Sequence, residues 1–98
     1  MHILLMIVTW DPEKAEHNKH KHGVRFPDVE SVFYDPCSVI DEDLSSVDEQ
    51  RFIVLGKGRA GRLFIVVYTY RDDQVRLISA RKASRAETRI YEKGIRFQ

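Results

Sequence analysis

The amino-acid sequence predicts an α+β fold with two N-terminal helices, an antiparallel β-sheet of three to four strands, and a C-terminal helix. Two observations favour this arrangement. Helix-starting and helix-stopping residues occur in the first third of the chain and again near its end. Between them lie three β-rich segments joined by short turns. With 98 residues, 43% of them hydrophobic, a modest core is possible, so we expect one domain over residues 1–98.

The apolar run over residues 1–8 is typical of a β-strand. It is too short for a membrane span and lacks the cationic leader and cleavage site of a secretion signal. Cys37 is the single cysteine, so no internal disulfide can form, which agrees with a reducing compartment. We therefore expect a cytoplasmic protein with no membrane partner.

The first helix is predicted to begin after Asp11, whose side chain can cap the free amides, and to end at Gly23. Its spacing turns Asn18 and His22 inward. A second, shorter helix is predicted over residues 27–34, before an Asp-Pro pair.

The second half of the chain is predicted to form the sheet and the last helix. Residues 41–50, rich in acids and serines, are expected to form a solvated loop. Short turns then join three strands into an antiparallel meander, over residues 51–57, 62–70 and 75–81. Ser84 and Glu87 form a capping box for a helix that runs to about Lys93. Strict alternation in the third strand places Arg76 and Arg81 on opposite faces.

Charge is distributed unevenly along the chain. Residues 1–50 hold 4 Lys and Arg against 11 Asp and Glu, whereas residues 51–98 hold 12 against 4. Nine of the late cations are arginines, whose planar fork suits phosphate oxygens. A polyanion is one expected partner. The alternative is a solvated surface whose positive charge is balanced by the acidic half of the same molecule.

The join between the third strand and the last helix offers the clearest site for chemistry. Arg81 ends the strand and Arg85 begins the helix, so with the exposed amides around Ser84 they could surround one phosphate. The alternative is a structural ion pair of these cations with Glu87 or with the acidic loop.

Metal and cofactor sites are not expected. Among the three neighbouring histidines of the first helix, His22 lies on a different side from His17 and His20, and no cysteine or carboxylate completes a zinc site. The sequence also lacks a Gly-rich phosphate loop, a serine nucleophile elbow and a paired-carboxylate motif.

Two stretches of the chain resemble a known family. WDPxKAxxNxxKHG at residues 10–23 and ISARKAS at residues 78–84, with shorter blocks between them, resemble the BrnT toxin family. The likeness extends from Trp10 to Glu92. It implies a RelE-like ribonuclease of a type II toxin–antitoxin pair, which cuts RNA, arrests translation and is neutralised by a small DNA-binding antitoxin, BrnA. It also implies an oligomeric toxin–antitoxin complex that binds its operator through the antitoxin.

A metal-free ribonuclease of this kind uses the 2′-OH of its RNA substrate as the nucleophile. It then needs a proton acceptor, a proton donor and cations at the phosphate. We predict that Arg81 stabilises the transition-state charge, since arginine cannot act as a base. Tyr91 and Lys57 are the main candidates for proton transfer, with Glu49 and His20 as secondary ones. The predicted clamps on the RNA backbone are Arg51, Arg62, Arg76, Lys82, Arg85 and Arg89.

A non-catalytic module remains the alternative, in which the same basic surface holds nucleic acid or an acidic protein without cutting it. Trp10 or Tyr70 could stack on RNA bases if exposed, although a tryptophan in such a position often packs in the core.

Overall fold

A five-stranded sheet forms the centre of the computed structural model, which describes residues 6–94. The strands lie in the order β1-β5-β4-β3-β2. In chain order they are β1 Val8–Thr9, β2 Val39–Asp43, β3 Arg51–Lys57, β4 Leu63–Arg71 and β5 Gln74–Lys82. Strands β2 to β5 pair antiparallel, and β1 is parallel to β5. The predicted α+β class and meander are confirmed, whereas the predicted strand count and the purely antiparallel pairing are wrong.

Two helices flank the sheet, α1 over Pro12–His22 and α2 over Arg85–Lys93. Both begin and end as predicted, with Asp11 accepting from the amide of Glu13 at the first and a capping box at the second. None of the helices described between residues 6 and 94 is long and apolar enough to cross a bilayer.

The second predicted helix is replaced by two short 3-10 turns, Phe26–Asp28 and Glu30–Tyr34. The prediction of one helix over residues 27–34 is wrong. Prolines stand near both ends of the segment. The few residues between them form too few α-helical hydrogen bonds to offset the unfavourable nucleation of an α-helix, so short 3-10 turns form instead.

Both ends of the sheet differ from the sequence prediction. Of the apolar run predicted as a strand, residues 1–5 lie outside the described part of the chain, and the strand that pairs is Val8–Thr9. The acidic segment predicted as a loop begins inside β2, where Asp43 lies opposite Arg51 of β3. Opposite charges on facing strand positions favour this pairing.

The main core lies on one face of the sheet. Val54, Val66 and Leu77 are buried there against Phe26 and Val29 from the 3-10 turns. The central strand β4 is buried on both faces, as its nearly continuous apolar sequence favours.

An extra residue interrupts the pairing of β5 with β4. Ser79 pairs with Val67, whereas Leu77 pairs with the next residue of β4, Tyr68. Ile78 is therefore the additional residue of a β-bulge, and the alternation of side chains restarts after it.

This bulge corrects the predicted faces of β5. Leu77 and Ala80 are both buried in the main core, although they are three residues apart. Arg76 and Arg81 consequently lie on the same face, opposite that core. The prediction that they lie on opposite faces is wrong because it assumed unbroken alternation.

Asn18 joins α1 to the outer edge of β5. Its side-chain nitrogen donates to the carbonyls of Val24 and Ala80 at 3.0 and 2.9 Å, and its oxygen accepts from the Ala80 amide at 2.9 Å. The side chain is buried, which confirms its predicted inward orientation, and His22 is half-buried.

Replacing Asn18 with alanine is expected to lower the free energy of unfolding by about 2–4 kcal/mol, because two buried carbonyls and one buried amide lose their partners. Urea denaturation would measure the change. Lys19→Ala, at an exposed position of the same helix, is the control and should change stability by less than about 0.5 kcal/mol. Equal stabilities of the two variants would contradict this prediction.

Candidate functional site

The sheet face opposite the main core, termed the α2 face, collects four of the predicted cations. Strand pairing places the following residues on it: Arg51 and Lys57 of β3, and Arg76 and Arg81 of β5. Helix α2 packs against β3 on this face, where Leu55 and Ile65 are buried outside the main core.

Arg81 is held by Glu87 from the first turn of α2. Two guanidinium nitrogens donate to the two carboxylate oxygens, each at 2.8 Å. Glu87 also accepts from the Ser84 amide, and its own amide donates to the Ser84 hydroxyl. Of the amides around Ser84 that were predicted to surround a phosphate, those of Ser84 and Glu87 are thus engaged within the capping box.

The ion pair between Arg81 and Glu87 shifts the pKa values of both residues. Hydrogen bonds from Arg81 lower the pKa of Glu87 to about 2, and those to Glu87 raise the pKa of Arg81. Arg81 also donates to the carbonyl of Lys82. Since a guanidinium has five N–H groups, two remain without an acceptor among residues 6–94, and 43% of the side chain is exposed.

Glu87 is expected to make stability depend on acid pH. Its pKa in the folded chain lies below the ordinary 4.5, so its stabilisation is complete above pH 4.5 and is lost as pH falls through about 2. Allowing for the exposure of Arg81, we expect a contribution of about 2 kcal/mol. Urea midpoints across this range should decline less in Glu87→Gln than in the wild-type chain. Parallel declines would contradict the assignment.

A second cluster joins Tyr91 of α2 to Asp35, which follows the second 3-10 turn. The Tyr91 hydroxyl donates to Asp35 Oδ2 at 2.7 Å, and the backbone amide of Lys57 donates to the same oxygen at 2.8 Å. The other carboxylate oxygen accepts from the Cys37 amide at 2.9 Å. Lys57 Nζ lies 5.9 Å from the centre of the Tyr91 ring, at the outer limit of a cation–π contact.

These contacts determine the protonation of the cluster. Partial burial acts to raise the pKa of Asp35, but the Lys57 amide, the Tyr91 hydroxyl and the Cys37 amide outweigh it, and the pKa is lowered. Partial burial and the hydrogen bond to Asp35 raise the pKa of Tyr91 to about 12. At neutral pH the pair is therefore a carboxylate that accepts from a neutral phenol.

Helix α2 brings the two clusters into one row. Glu87 and Tyr91 are one helical turn apart, so they project from the same side of α2. Of the three residues predicted from the sequence to take part in catalysis, Lys57 lies beside Tyr91, and Arg81 contacts Glu87, which precedes Tyr91 by one turn of α2.

The remaining cations of the α2 face lie at the opposite end of the sheet. Arg51 and Arg76 flank Thr69, one on each neighbouring strand, so they are roughly 10 Å apart. Glu49 pairs with Arg51 and approaches Arg71 at 4.0 Å, which places it at this end rather than beside Lys57.

The other predicted RNA contacts lie around α2. Arg62 and Lys82 line one shallow depression beside its first turn, together with Thr88. Arg85 and Arg89 are exposed on the helix itself, one turn apart. These four side chains therefore lie around the α2 face and not among the residues of β3 and β5 that form it.

The predicted secondary candidates lie elsewhere. His20 pairs with Glu16 on the outer side of α1. Trp10 packs its ring edge against Phe26, whereas Tyr70 is 54% exposed. Among the described residues, no three His, Cys, Asp or Glu side chains are grouped to hold a metal ion.

Asp35 is the site residue that sequence reasoning missed. An Asp-Pro pair after a helical segment is an ordinary stop signal, and nothing local distinguishes this carboxylate from other turn residues. Its partners, Lys57 and Tyr91, are 22 and 56 residues away in sequence, so only the fold reveals the cluster.

Comparison with known proteins agrees with this architecture. Residues 10–87 match a family model described as the ribonuclease toxin, BrnT, of type II toxin–antitoxin systems. The fold is similar to the crystal structure of the Brucella abortus ribonuclease toxin BrnT, with a TM-score of 0.63 and 24% sequence identity, covering 83% of this chain and 100% of that one. No curated protein gives a significant match. The predicted resemblance is confirmed, and the chain belongs to the BrnT family of ribonuclease toxins.

Proposed function

We propose that this chain is a single-domain, metal-independent endoribonuclease that cleaves RNA by attack of the 2′-OH and thereby inhibits translation. The observation that carries the proposal is the row on the α2 face, where Arg81 with Glu87 and Tyr91 with Asp35 and Lys57 lie under one helix. A guanidinium, an ammonium and a phenol–carboxylate pair can supply the positive charge, the proton donor and the proton acceptor that such a reaction needs.

In the proposed reaction, the 2′ oxygen forms a bond to phosphorus as the bond from phosphorus to the 5′ oxygen breaks. The 2′-OH loses a proton, and the leaving 5′ oxygen gains one. The products are a 2′,3′-cyclic phosphate and a 5′-OH, and the negative charge on the phosphate oxygens peaks between these states.

We assign Arg81 to that charge. Glu87 fixes one side of the guanidinium fork and leaves two N–H groups for phosphate oxygens. A donor already held in place needs no reorganisation during the reaction, which is what makes such donors effective.

We assign proton transfer to Tyr91, Asp35 and Lys57. Tyr91 is protonated at neutral pH because its pKa is about 12, so it cannot accept a proton unless it gives up its own. In the proposed relay, the 2′-OH passes its proton to the Tyr91 oxygen while the phenol proton passes to Asp35. The Lys57 ammonium then protonates the 5′ oxygen.

The RNA backbone would be held by cations on and around this face. Arg51 and Arg76 lie at one end of the exposed sheet surface, and Arg62, Lys82, Arg85 and Arg89 lie around α2. Each contact with a phosphate would steepen the salt dependence of binding.

Membership of a type II toxin family implies an antitoxin partner. We propose that this partner is a small DNA-binding protein of the BrnA type, and that the complex is oligomeric and binds its operator through the antitoxin. A second candidate function is RNA binding without cleavage. It is favoured by the Arg81–Glu87 ion pair, which already satisfies part of the guanidinium.

Incubation of purified chain with total RNA, with and without ribosomes and with EDTA, tests the proposal. We expect cleavage in EDTA and fragments that end in 2′,3′-cyclic phosphate. Growth arrest on expression should be relieved by the co-expressed antitoxin. Binding of RNA without any cleavage, with ribosomes present as well as absent, would support the second candidate instead.

A further inference from the structure

A cavity between α1 and β5 lies outside the row of candidate catalytic groups. We propose that it binds backbone phosphates of a single-stranded RNA as that strand leaves the α2 face. This inference rests on the proposed function, since it adds a substrate subsite to the same enzyme.

The cavity is lined by lysines and histidines on one side and by uncharged residues of β5 on the other. Its volume is about 200 Å³, several times the roughly 30 Å³ share of one water molecule. Its main lining residues are Lys14, His17, Lys21 and His22 from α1, and Ile78 and Ser79 from β5.

Among residues 6–94, no carboxylate lines this cavity. The acidic residues of α1, Glu13 and Glu16, are not among the residues that line the cavity. Within residues 6–94, neither Lys14 nor Lys21 forms an ion pair. Asn18 at the base cannot serve as a ligand, because its amide is engaged by Val24 and Ala80. The free charge in the cavity is therefore positive.

The two lysines lie along a track instead of meeting at one point. Lys14 and Lys21 are seven residues apart on α1, which corresponds to about 10 Å along the helix axis, and His17 lies between them. A track of this length suits successive phosphates of a polynucleotide better than one small anion.

The β5 bulge connects this track with the candidate active site. Ser79 lines the cavity and pairs with Val67, so its side chain belongs to the α2 face, and it precedes Arg81 by two residues. Two residues along a strand span roughly 7 Å. An RNA strand bound at Arg81 could therefore continue past Ser79 and over the edge of β5 to Lys14 and Lys21 of α1.

Fluorescence anisotropy with a short 2′-O-methyl RNA, which lacks the attacking hydroxyl, tests the inference directly. Lys14→Ala/Lys21→Ala should bind on the order of tenfold more weakly than wild type. The slope of log K against log salt, measured between about 50 and 200 mM, should fall by about 1.4 for the two lost contacts.

Lys19→Ala provides the matched control, because it removes one lysine from the same helix outside the cavity. It should bind nearly as well as wild type, and Lys21→Ala alone should lower the slope by about 0.7. With cleavable RNA, the double variant should raise KM and leave kcat unchanged. Circular dichroism would confirm that each variant is folded.

The outcomes separate this inference from the proposed function. Unchanged RNA binding by the folded double variant would overturn the subsite, whether or not wild type cleaves RNA. Failure of wild type to cleave RNA, with the double variant still weakened in anisotropy, would refute the enzyme but retain the binding track.

Discussion

Replacing Arg81 with alanine is expected to lower the rate of RNA cleavage by about 10²- to 10³-fold while the chain stays folded. Glu87 holds the guanidinium in a fixed orientation on the α2 face. Removal of one such preorganised donor from a transition state has an effect of this size. Single-turnover cleavage of a labelled RNA would measure the chemical step apart from binding.

Two comparisons make the Arg81 result interpretable. Arg81→Lys keeps the charge but loses the two-pronged contact, so its rate should fall between those of wild type and Arg81→Ala. Arg89→Ala removes an exposed arginine of α2, outside the row of candidate catalytic groups, and should leave the chemical step nearly unchanged. Wild-type rates in a folded Arg81→Ala protein would refute the assigned role.

Replacing Tyr91 with phenylalanine is expected to slow cleavage by about 10²- to 10⁴-fold, the range typical of a lost proton-transfer group. The ring is retained, and Asp35 keeps its bonds from the Lys57 and Cys37 amides, so the fold should survive. Because the pKa of Tyr91 is about 12, the wild-type rate should show no loss from its ionisation below about pH 11.

Tyr70→Phe is the matched control for this substitution. It removes a phenol hydroxyl from an exposed tyrosine on the same sheet, away from Asp35. Its cleavage rate should equal that of wild type. If Tyr91→Phe is equally active, then the hydroxyl takes no part in proton transfer and the relay through Asp35 is excluded.

Local signals predicted most of the secondary structure correctly. The caps at Asp11 and Ser84 fix where α1 and α2 begin, because their side chains meet the free amides within the next three residues. The meander was equally predictable from the sequence, since short turns can join antiparallel strands but not parallel ones. These features depend on neighbours in sequence.

Features that depend on distant partners were not predictable in the same way. Strand β2 forms because the edge of β3 offers it partners, including Arg51 opposite Asp43. The bulge at Ile78 arises from a mismatch with β4 that no pattern within β5 reveals. Side-chain alternation was applied correctly before that residue and failed after it, which misplaced Arg81 relative to Arg76.

The candidate site shows the same division. Arg81 was identified because it stands next to a capped helix in sequence, and its partner Glu87 is six residues away. The roles predicted for Arg81, Lys57 and Tyr91 remain predictions, although the fold brings Lys57 and Tyr91 together. Asp35 could not have been identified, because it becomes distinctive only when β3 and α2 fold around it.

The amide of Asn18 has a consequence for the solubility of the chain. Beyond Arg76, the outer edge of β5 has no strand partner among the described residues. There the Asn18 side chain forms hydrogen bonds with both the amide and the carbonyl of Ala80. An unprotected edge is a template for intermolecular strand addition. The side chain that anchors α1 therefore also guards against aggregation, and its loss would favour self-association as well as unfolding.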